Sequence, residues 1–267
     1  MSYQTLFTTL WNDYTQRNPH ALTIYNLFSE RGENVINDHI ALRTFNDPRI
    51  NVEKLAEIFK KYGYEEKGEY QFPVKKLFAK HYEHADPDAP KVFISELLVE
   101  QFSPALQETV KNSIEQIPIK LLASEELLCS GATWQPLSYK TYQSLLNESE
   151  YAAWMYAFGF CANHFTVNVN ALNTFKELSD VNDFLIANQF KLNTAGGLIK
   201  GTVEECLEQS STLAGEINVK FKEGTYSIPS CYYEFAKRYA LANGELYTGF
   251  IAASADKIFE STDVGNR

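Results

Sequence analysis

Asn37-Asp38-His39-Ile40-Ala41-Leu42-Arg43-Thr44-Phe45 is the stretch on which the fold turns. It is rich in apolar residues and runs straight into a turn signal, Asn46-Asp47-Pro48, so it reads as a β-strand. Side chains alternate across a strand. His39, Ala41 and Arg43 therefore share one face, and Ile40, Leu42 and Thr44 share the other. Asn163-His164-Phe165-Thr166-Val167-Asn168-Val169 repeats the theme. There His164, Thr166 and Asn168 share a small, polar face, while Phe165, Val167 and Val169 form a wholly apolar one. An imidazole near the start of each strand, on its less apolar face, suits the lining of a cavity.

Working outward, Tyr3 to Glu30 shows apolar residues at three- and four-residue spacing, which predicts two helices broken around Asn18-Pro19. Val52 to Tyr62 reads as an amphipathic helix closed by Gly63. Tyr70 to Tyr82 and Lys91 to Glu100 follow as strands, separated by Asp86-Pro87-Asp88-Ala89-Pro90. Pro104 to Tyr156 is helical and carries few strand signals. Beyond the second histidine strand come a helix over Val181 to Gln189 and strand candidates at Gly215 to Phe221, Ser230 to Arg238 and Glu245 to Ala252. Each histidine strand is thus followed by a helix and then by strands, a weak repeat that points to fused βαβ-type modules facing one another. The expected class is α+β: two β-rich modules forming a half-open barrel, with additional helices. The chain is expected to be one catalytic domain over 1–267, with helices over 1–35, a first module over 36–103, a helical connector over 104–160 and a second module with the tail over 161–267.

The composition excludes several function classes. The 267 residues are 45% hydrophobic and 22% charged, an ordinary globular balance, and the net charge of −10 leaves no basic footprint for nucleic acid. Aromatic residues reach 14%, with 16 Tyr and 18 Phe, which favours β-rich packing. Apolar runs such as Tyr151 to Cys161 fall well short of the roughly 20 residues a membrane span requires. Met1 to Leu10 lacks the basic and apolar regions of a secretion signal. Cys129, Cys161, Cys206 and Cys231 lie far apart, with no C-x-x-C pairing, and read as reduced thiols. The expected setting is the cytoplasm.

Only five histidines exist, His20, His39, His81, His84 and His164. His39 and His164 hold equivalent places in the repeat. Glu234 lies among the strong β-formers of Ser230-Cys231-Tyr232-Tyr233-Glu234-Phe235-Ala236, where burying a carboxylate costs several kcal/mol unless a cation or hydrogen bonds compensate it. Two imidazoles and one carboxylate make the ligand set of mononuclear non-haem iron(II) oxygenases, and zinc accepts the same donors. A lone strand histidine is more often structural, and Glu96 and Glu100 are rivals to Glu234. Arg43 lies about 13 Å along its strand from His39, at roughly 3.3 Å per residue. It is placed to hold a carboxylate by paired hydrogen bonds, or else to pair with a neighbouring acid. His81 and His84 precede an acidic loop and read as exposed. Gly196-Gly197 with Gly201 reads as a turn, and Phe259 to Asp263 as a polar tail with the option of folding over the cavity.

At these residues the sequence resembles the 2-oxoadipate dioxygenase/decarboxylases, formerly a domain of unknown function. The resemblance rests on Asn37 to Phe45, on Tyr70-Gln71-Phe72-Pro73-Val74-Lys75-Lys76-Leu77, on Asn163-His164-Phe165-Thr166, on Tyr233-Glu234-Phe235-Ala236-Lys237-Arg238 and on Phe259-Glu260-Ser261-Thr262. It implies a vicinal-oxygen-chelate-like fold with iron(II) on His39, His164 and Glu234 and with Arg43 on the substrate. It further implies conversion of 2-oxoadipate and O₂ into 2-hydroxyglutarate and CO₂ in lysine breakdown. The chain is shorter than the family's longer bacterial members, so parts of the substrate pocket are expected to differ. The alternatives are a zinc- or nickel-dependent glyoxalase-like isomerase or hydrolase, and a non-catalytic binder of small acids. The oligomeric state is not legible.

Overall fold

The computed structural model describes residues 2–262. Two helices open the chain, α1 (Tyr3–Arg17) and α2 (Pro19–Glu30). They part at Asn18-Pro19 because proline, with no amide hydrogen, belongs in the first turn of a helix. The first half of the sheet then forms from β1 (Asn37–Phe45), α3 (Val52–Lys60), β2 (Glu65–Phe72), β3 (Leu77–Glu83) and β4 (Lys91–Leu97). Asn51 caps α3 by accepting the Lys54 amide, and Gly63 (φ +91°) supplies the left-handed turn after it.

The connector holds α4 (Pro104–Ile114), α5 (Tyr139–Leu146) and α6 (Glu150–Phe158). Gly159 ends α6 at φ +61°, and a Cβ there would lie 2.2 Å from the Gly131 carbonyl oxygen. Only glycine lets the chain turn that tightly into β5 (Ala162–Asn168), which carries His164. The second half continues with α7 (Leu178–Ala187), β6 (Lys200–Thr202), β7 (Leu207–Ser211), β8 (Glu216–Phe221), β9 (Gly224–Pro229) and β10 (Tyr232–Arg238), and α8 (Ala252–Phe259) follows.

Eight strands make one sheet in the order β2-β3-β4-β1-β5-β10-β7-β6, while β8 and β9 form a separate hairpin. Within each half the first and last strands are parallel neighbours, β1 with β4 and β5 with β10. The halves meet antiparallel at β1 and β5. The expected repeat is therefore present as topology: each half is strand, helix, then three sheet strands, in mirrored order about the centre. The result is the curled, half-open barrel of the vicinal-oxygen-chelate type. Its apolar outer face is covered by helices. Trp11 and Tyr14 of α1 meet Phe165 at 5.1 and 5.0 Å between ring centres, and Phe28 of α2 meets Phe235 at 6.1 Å.

One expected element is absent. Glu245 to Ala252 forms no strand; only a single bridge joins Leu246 to Ala240, and Ala252 already begins α8. The carbonyls of Tyr247 and Gly249 are taken by the Arg238 guanidinium instead of a ladder. The segment thus crosses the mouth of the barrel, where α8 packs on β2 at one end of the sheet and on β6 and β7 at the other. The tail does fold over the cavity as far as Thr262; Asp263 lies outside the described residues. Among the described residues no helix is long and apolar enough to cross a membrane.

Candidate metal centre

The strand register explains why three distant residues meet. His39 on β1 pairs across the central seam with Thr166 of β5, and Ala41 pairs with His164. On the other side of β5, His164 pairs with Tyr232 and Thr166 with Glu234 of β10. Neighbouring strands stand only about 4.8 Å apart, so these side chains converge on the concave face. His164 Nε2 lies 3.1 Å from Glu234 Oε2, and His39 Nε2 lies 3.6 Å from Glu234 Oε1. One ligand atom from each residue lies within 4.8 Å of the others, and all three side chains are buried. Donors about 2.0–2.2 Å from a shared ion stand roughly 3 Å apart when at right angles. The triad therefore fits a divalent cation with little adjustment.

The surrounding contacts prepare the donors. His39 Nδ1 lies 2.7 Å from Asp38 Oδ1, and His164 Nδ1 lies 3.1 Å from Asn163 Oδ1. Each partner accepts from an Nδ1–H, which leaves both Nε2 lone pairs turned to the centre. The Thr166 hydroxyl, 3.1 Å from His39 Nε2, fits the same tautomer. Burial holds His39 below the usual histidine range against the pull of Asp38, and holds His164 well below it, aided by His39 and Arg43. Both shifts favour the neutral imidazole, the form a ligand must take. Burial would also raise Asp38, but the Arg238 charge and hydrogen bonds outweigh it and keep the carboxylate well below its usual range. Glu234 is pushed up to about 8 by burial, opposed by the amide of Gln209, which donates to its Oε1 at 2.5 Å. A cation at the triad would reverse that shift and hold the carboxylate ionised.

The pocket beside the triad is lined by His39, Phe93, His164, Gln209, Tyr232 and Glu234, and is closed by Phe250, Ala255, Ile258 and Phe259. Its volume is about 20 Å³, room for a water molecule or so. Several buried polar atoms around it have no hydrogen-bond partner: Gln209 Oε1, Tyr232 Oη and Arg43 Nε. Such orphans are costly unless a ligand serves them. Arg43 is buried on the same strand face as His39 but lies behind Phe259 and does not line this small space. It pairs with Glu150 at 3.2 Å, donates to the Thr262 hydroxyl at 3.2 Å, and its guanidinium lies 4.8 and 4.9 Å from the rings of Tyr151 and Trp154. The salt bridge weighed for Arg43 from sequence thus exists, and the unpartnered Nε remains on its edge.

Other sequence expectations sort differently. Glu96 accepts the Val52 amide and Glu100 accepts from Asn46, so neither joins the triad. His81 is buried rather than exposed: it is hydrogen-bonded to Tyr70 and Glu83, with its ring 5.2 Å from Phe250. His84 is half-buried against Tyr3 and Tyr64. Gln209, Tyr232, Phe250 and the part of α8 before Phe259 were missed as site components. Tyr232 alone had a signal, since it stands two residues from Glu234 on the same strand face.

A family model described as 2-oxoadipate dioxygenase/decarboxylase matches residues 2–247. The 2-oxoadipate dioxygenase/decarboxylase of Oryza sativa subsp. japonica, chloroplastic/amyloplastic by name, is 36% identical over 97% of this chain and 78% of its own length. The crystal structure of hydroxyglutarate synthase from Oryza sativa, in complex with 2-oxoadipate, superposes with a TM-score of 0.92 at 35% identity, covering 99% of this chain and 93% of that one. A solved protein of Shewanella frigidimarina NCIMB 400, provisionally named a hydrolase, has a TM-score of 0.89 at 51% identity over 94% of this chain and 98% of its own.

Proposed function

The chain belongs to the 2-oxoadipate dioxygenase/decarboxylase family, and from that premise we propose that it converts 2-oxoadipate and O₂ into 2-hydroxyglutarate and CO₂, with iron(II) held by His39, His164 and Glu234. The reaction balances without a second reductant: six carbons and seven oxygens enter, and a five-carbon hydroxy diacid and CO₂ leave. The observation that carries the reading is the buried triad of two imidazoles and one carboxylate on strands from both halves of the sheet.

Iron(II) in such a site supplies dioxygen activation and a Lewis-acidic anchor for a 2-oxo acid. The protein's residues do the rest. Asp38 and Asn163 fix the imidazole tautomers, and Gln209 orients the Glu234 carboxylate. Arg43 is the counter-charge for the distal carboxylate, which would take up the free Nε and share the guanidinium with Glu150. Phe93, Phe250, Ile258 and Phe259 exclude water from the reacting end. A six-carbon diacid far exceeds the present cavity, so the wall from Phe250 to Phe259 has to shift when substrate enters. The single-domain organisation over 1–267 is part of the same proposal, because both halves and the capping tail complete one site.

The deciding experiment loads purified protein with iron under anaerobic conditions, adds 2-oxoadipate and then admits O₂. Equimolar loss of O₂ and release of CO₂ and 2-hydroxyglutarate is the expected result. No oxygen uptake would end this reading. A hydrolase, as the Shewanella protein's name allows, or an isomerase would instead turn over its substrate with O₂ excluded.

A further inference from the structure

Arg238 stands at the end of β10, four residues beyond Glu234, and its side chain is only 4% exposed. Its Nε and Nη2 donate to both oxygens of Asp38, at 2.6 and 2.8 Å. Asp38 is the residue that holds His39 Nδ1. The remaining nitrogen, Nη1, donates to the carbonyls of Tyr247 and Gly249 at 3.0 and 2.8 Å. Phe250 follows directly. Its ring meets His39 edge-on at 4.8 Å and 89°, and it forms one wall of the cavity. Its amide is held from the far side by the Tyr70 hydroxyl at 3.1 Å. One buried guanidinium is therefore shared between the loop that closes the cavity and the carboxylate that orients a ligand imidazole.

We infer that Arg238 is a positioning residue that couples closure of the Tyr247–Phe250 loop to the metal-binding competence of His39. The inference rests on the metal-site reading above. When the loop lifts, Nη1 loses two acceptors inside a buried setting, and a buried donor left unpaired is costly. The guanidinium then follows the loop or takes up water, and its fork on Asp38 is disturbed. Asp38 sets the tautomer and ring plane of His39, so the donor is disturbed in turn. Linkage makes the effect reciprocal: a cation that prefers the ordered His39 must favour the closed loop to the same degree. The cavity that must open for substrate is thereby biased to close again over a loaded site.

The test uses the full chain without metal, titrated anaerobically with Fe²⁺ alone, or with Co²⁺ as a spectroscopic stand-in. Affinity is read by calorimetry and loop order by hydrogen exchange of amides 245–251. In the parent protein the metal is expected to slow exchange in that segment. Arg238→Lys keeps the charge but loses the fork. Its metal affinity should fall about 10–100-fold, as for other outer partners of a ligand histidine, and saturating metal should no longer protect the loop. Tyr70→Phe frees the Phe250 amide without touching Asp38. It also unpairs His81 Nδ1, whose ring packs on Phe250, so it should weaken metal binding a few-fold from the loop side, and it decides the matter if Arg238→Lys fails to fold. Unchanged metal affinity in both folded variants, or loop exchange in the parent that ignores metal, overturns the coupling and leaves the metal site standing. A parent protein that binds no divalent metal instead removes the metal-site reading, and the coupling with it.

Discussion

On β1 the residue before the histidine is Asp38, and on β5 it is Asn163; both accept from the Nδ1 of the imidazole that follows, one as an anion and one as a neutral amide. The partner strands diverge further. β10 sets Glu234 beside Thr166, two residues past His164, whereas β4 sets Phe93 beside Ala41, two residues past His39. Four residues past each histidine stand Arg43 and Asn168, the first a buried cation and the second a cap for the Asn170 amide. The halves thus share a frame and divide the labour. The second half supplies two candidate ligands; the first supplies one, an apolar wall and the buried Arg43 cation. Three candidate ligands drawn unequally from a symmetric frame would leave coordination positions free on a bound ion, where a fully symmetric set of four would leave fewer.

The comparison is broken most severely at Glu234. Glu234→Gln keeps the shape but removes the charge, and metal binding and turnover should fall below detection, read by metal analysis and oxygen uptake. Adding Phe93→Glu to that variant sets a carboxylate at the equivalent point of the first half. Partial recovery of metal binding is expected; none would show that the halves are alike in topology only. Arg43→Met comes next. Truncating one side of a buried charge contact typically costs about 2–5 kcal/mol, so KM for 2-oxoadipate should rise at least about 30-fold, with a smaller change for 2-oxohexanoate, which lacks the distal carboxylate. Asn168→Ala at the matching position should leave KM unmoved.

Asp38→Asn should lower metal affinity about 10–100-fold, while Asn163→Ala, which removes a neutral hydrogen bond worth about 1 kcal/mol, should lower it less than about 10-fold. Equal losses in calorimetry would mean that the charge difference between the halves carries no weight. The mildest test concerns the tie between them. Glu33, just ahead of β1, accepts the amides of Asn173 and Thr174, at 2.5 and 2.8 Å, and the Thr174 hydroxyl at 2.5 Å. Burial opposes its ionisation, but these bonds win and hold its carboxyl below the usual range. Its stabilisation is therefore present above the unfolded glutamate value of about 4.3 and is lost as pH falls through the lower folded value. Glu33→Gln should cost about 1–2 kcal/mol near neutrality and flatten the acid side of a urea-melt stability profile; an unaltered profile would remove this tie.

The strands bearing His39 and His164, the break at Asn18-Pro19 and the helix after Asn51 were legible because each rests on a local rule of period, cap or ring. Glu234 was legible as a suspicious acid among β-formers, with Glu96 as a rival that only the fold disposed of. His81 was misread as exposed. Lys80 and Glu83 flank it in sequence, but its cover, Phe250, comes from far along the chain. Glu245 to Ala252 was misread as a strand for a related reason. Its residues carry strand propensity, and the demand that overrides it is the buried guanidinium of Arg238.

By itself, then, the sequence determined where chain direction changes, which residues share a strand face, and that two imidazoles occupy matching places in a repeat. The tertiary structure alone decided that Glu234 joins them, that Arg43 rests on Glu150, that α8 stoppers the barrel and that one arginine serves both the loop and Asp38. The division has a physical cause. Backbone period and capping depend on neighbours a few bonds away, whereas convergence, burial and the proton affinities that follow depend on which distant surfaces displace water from one another.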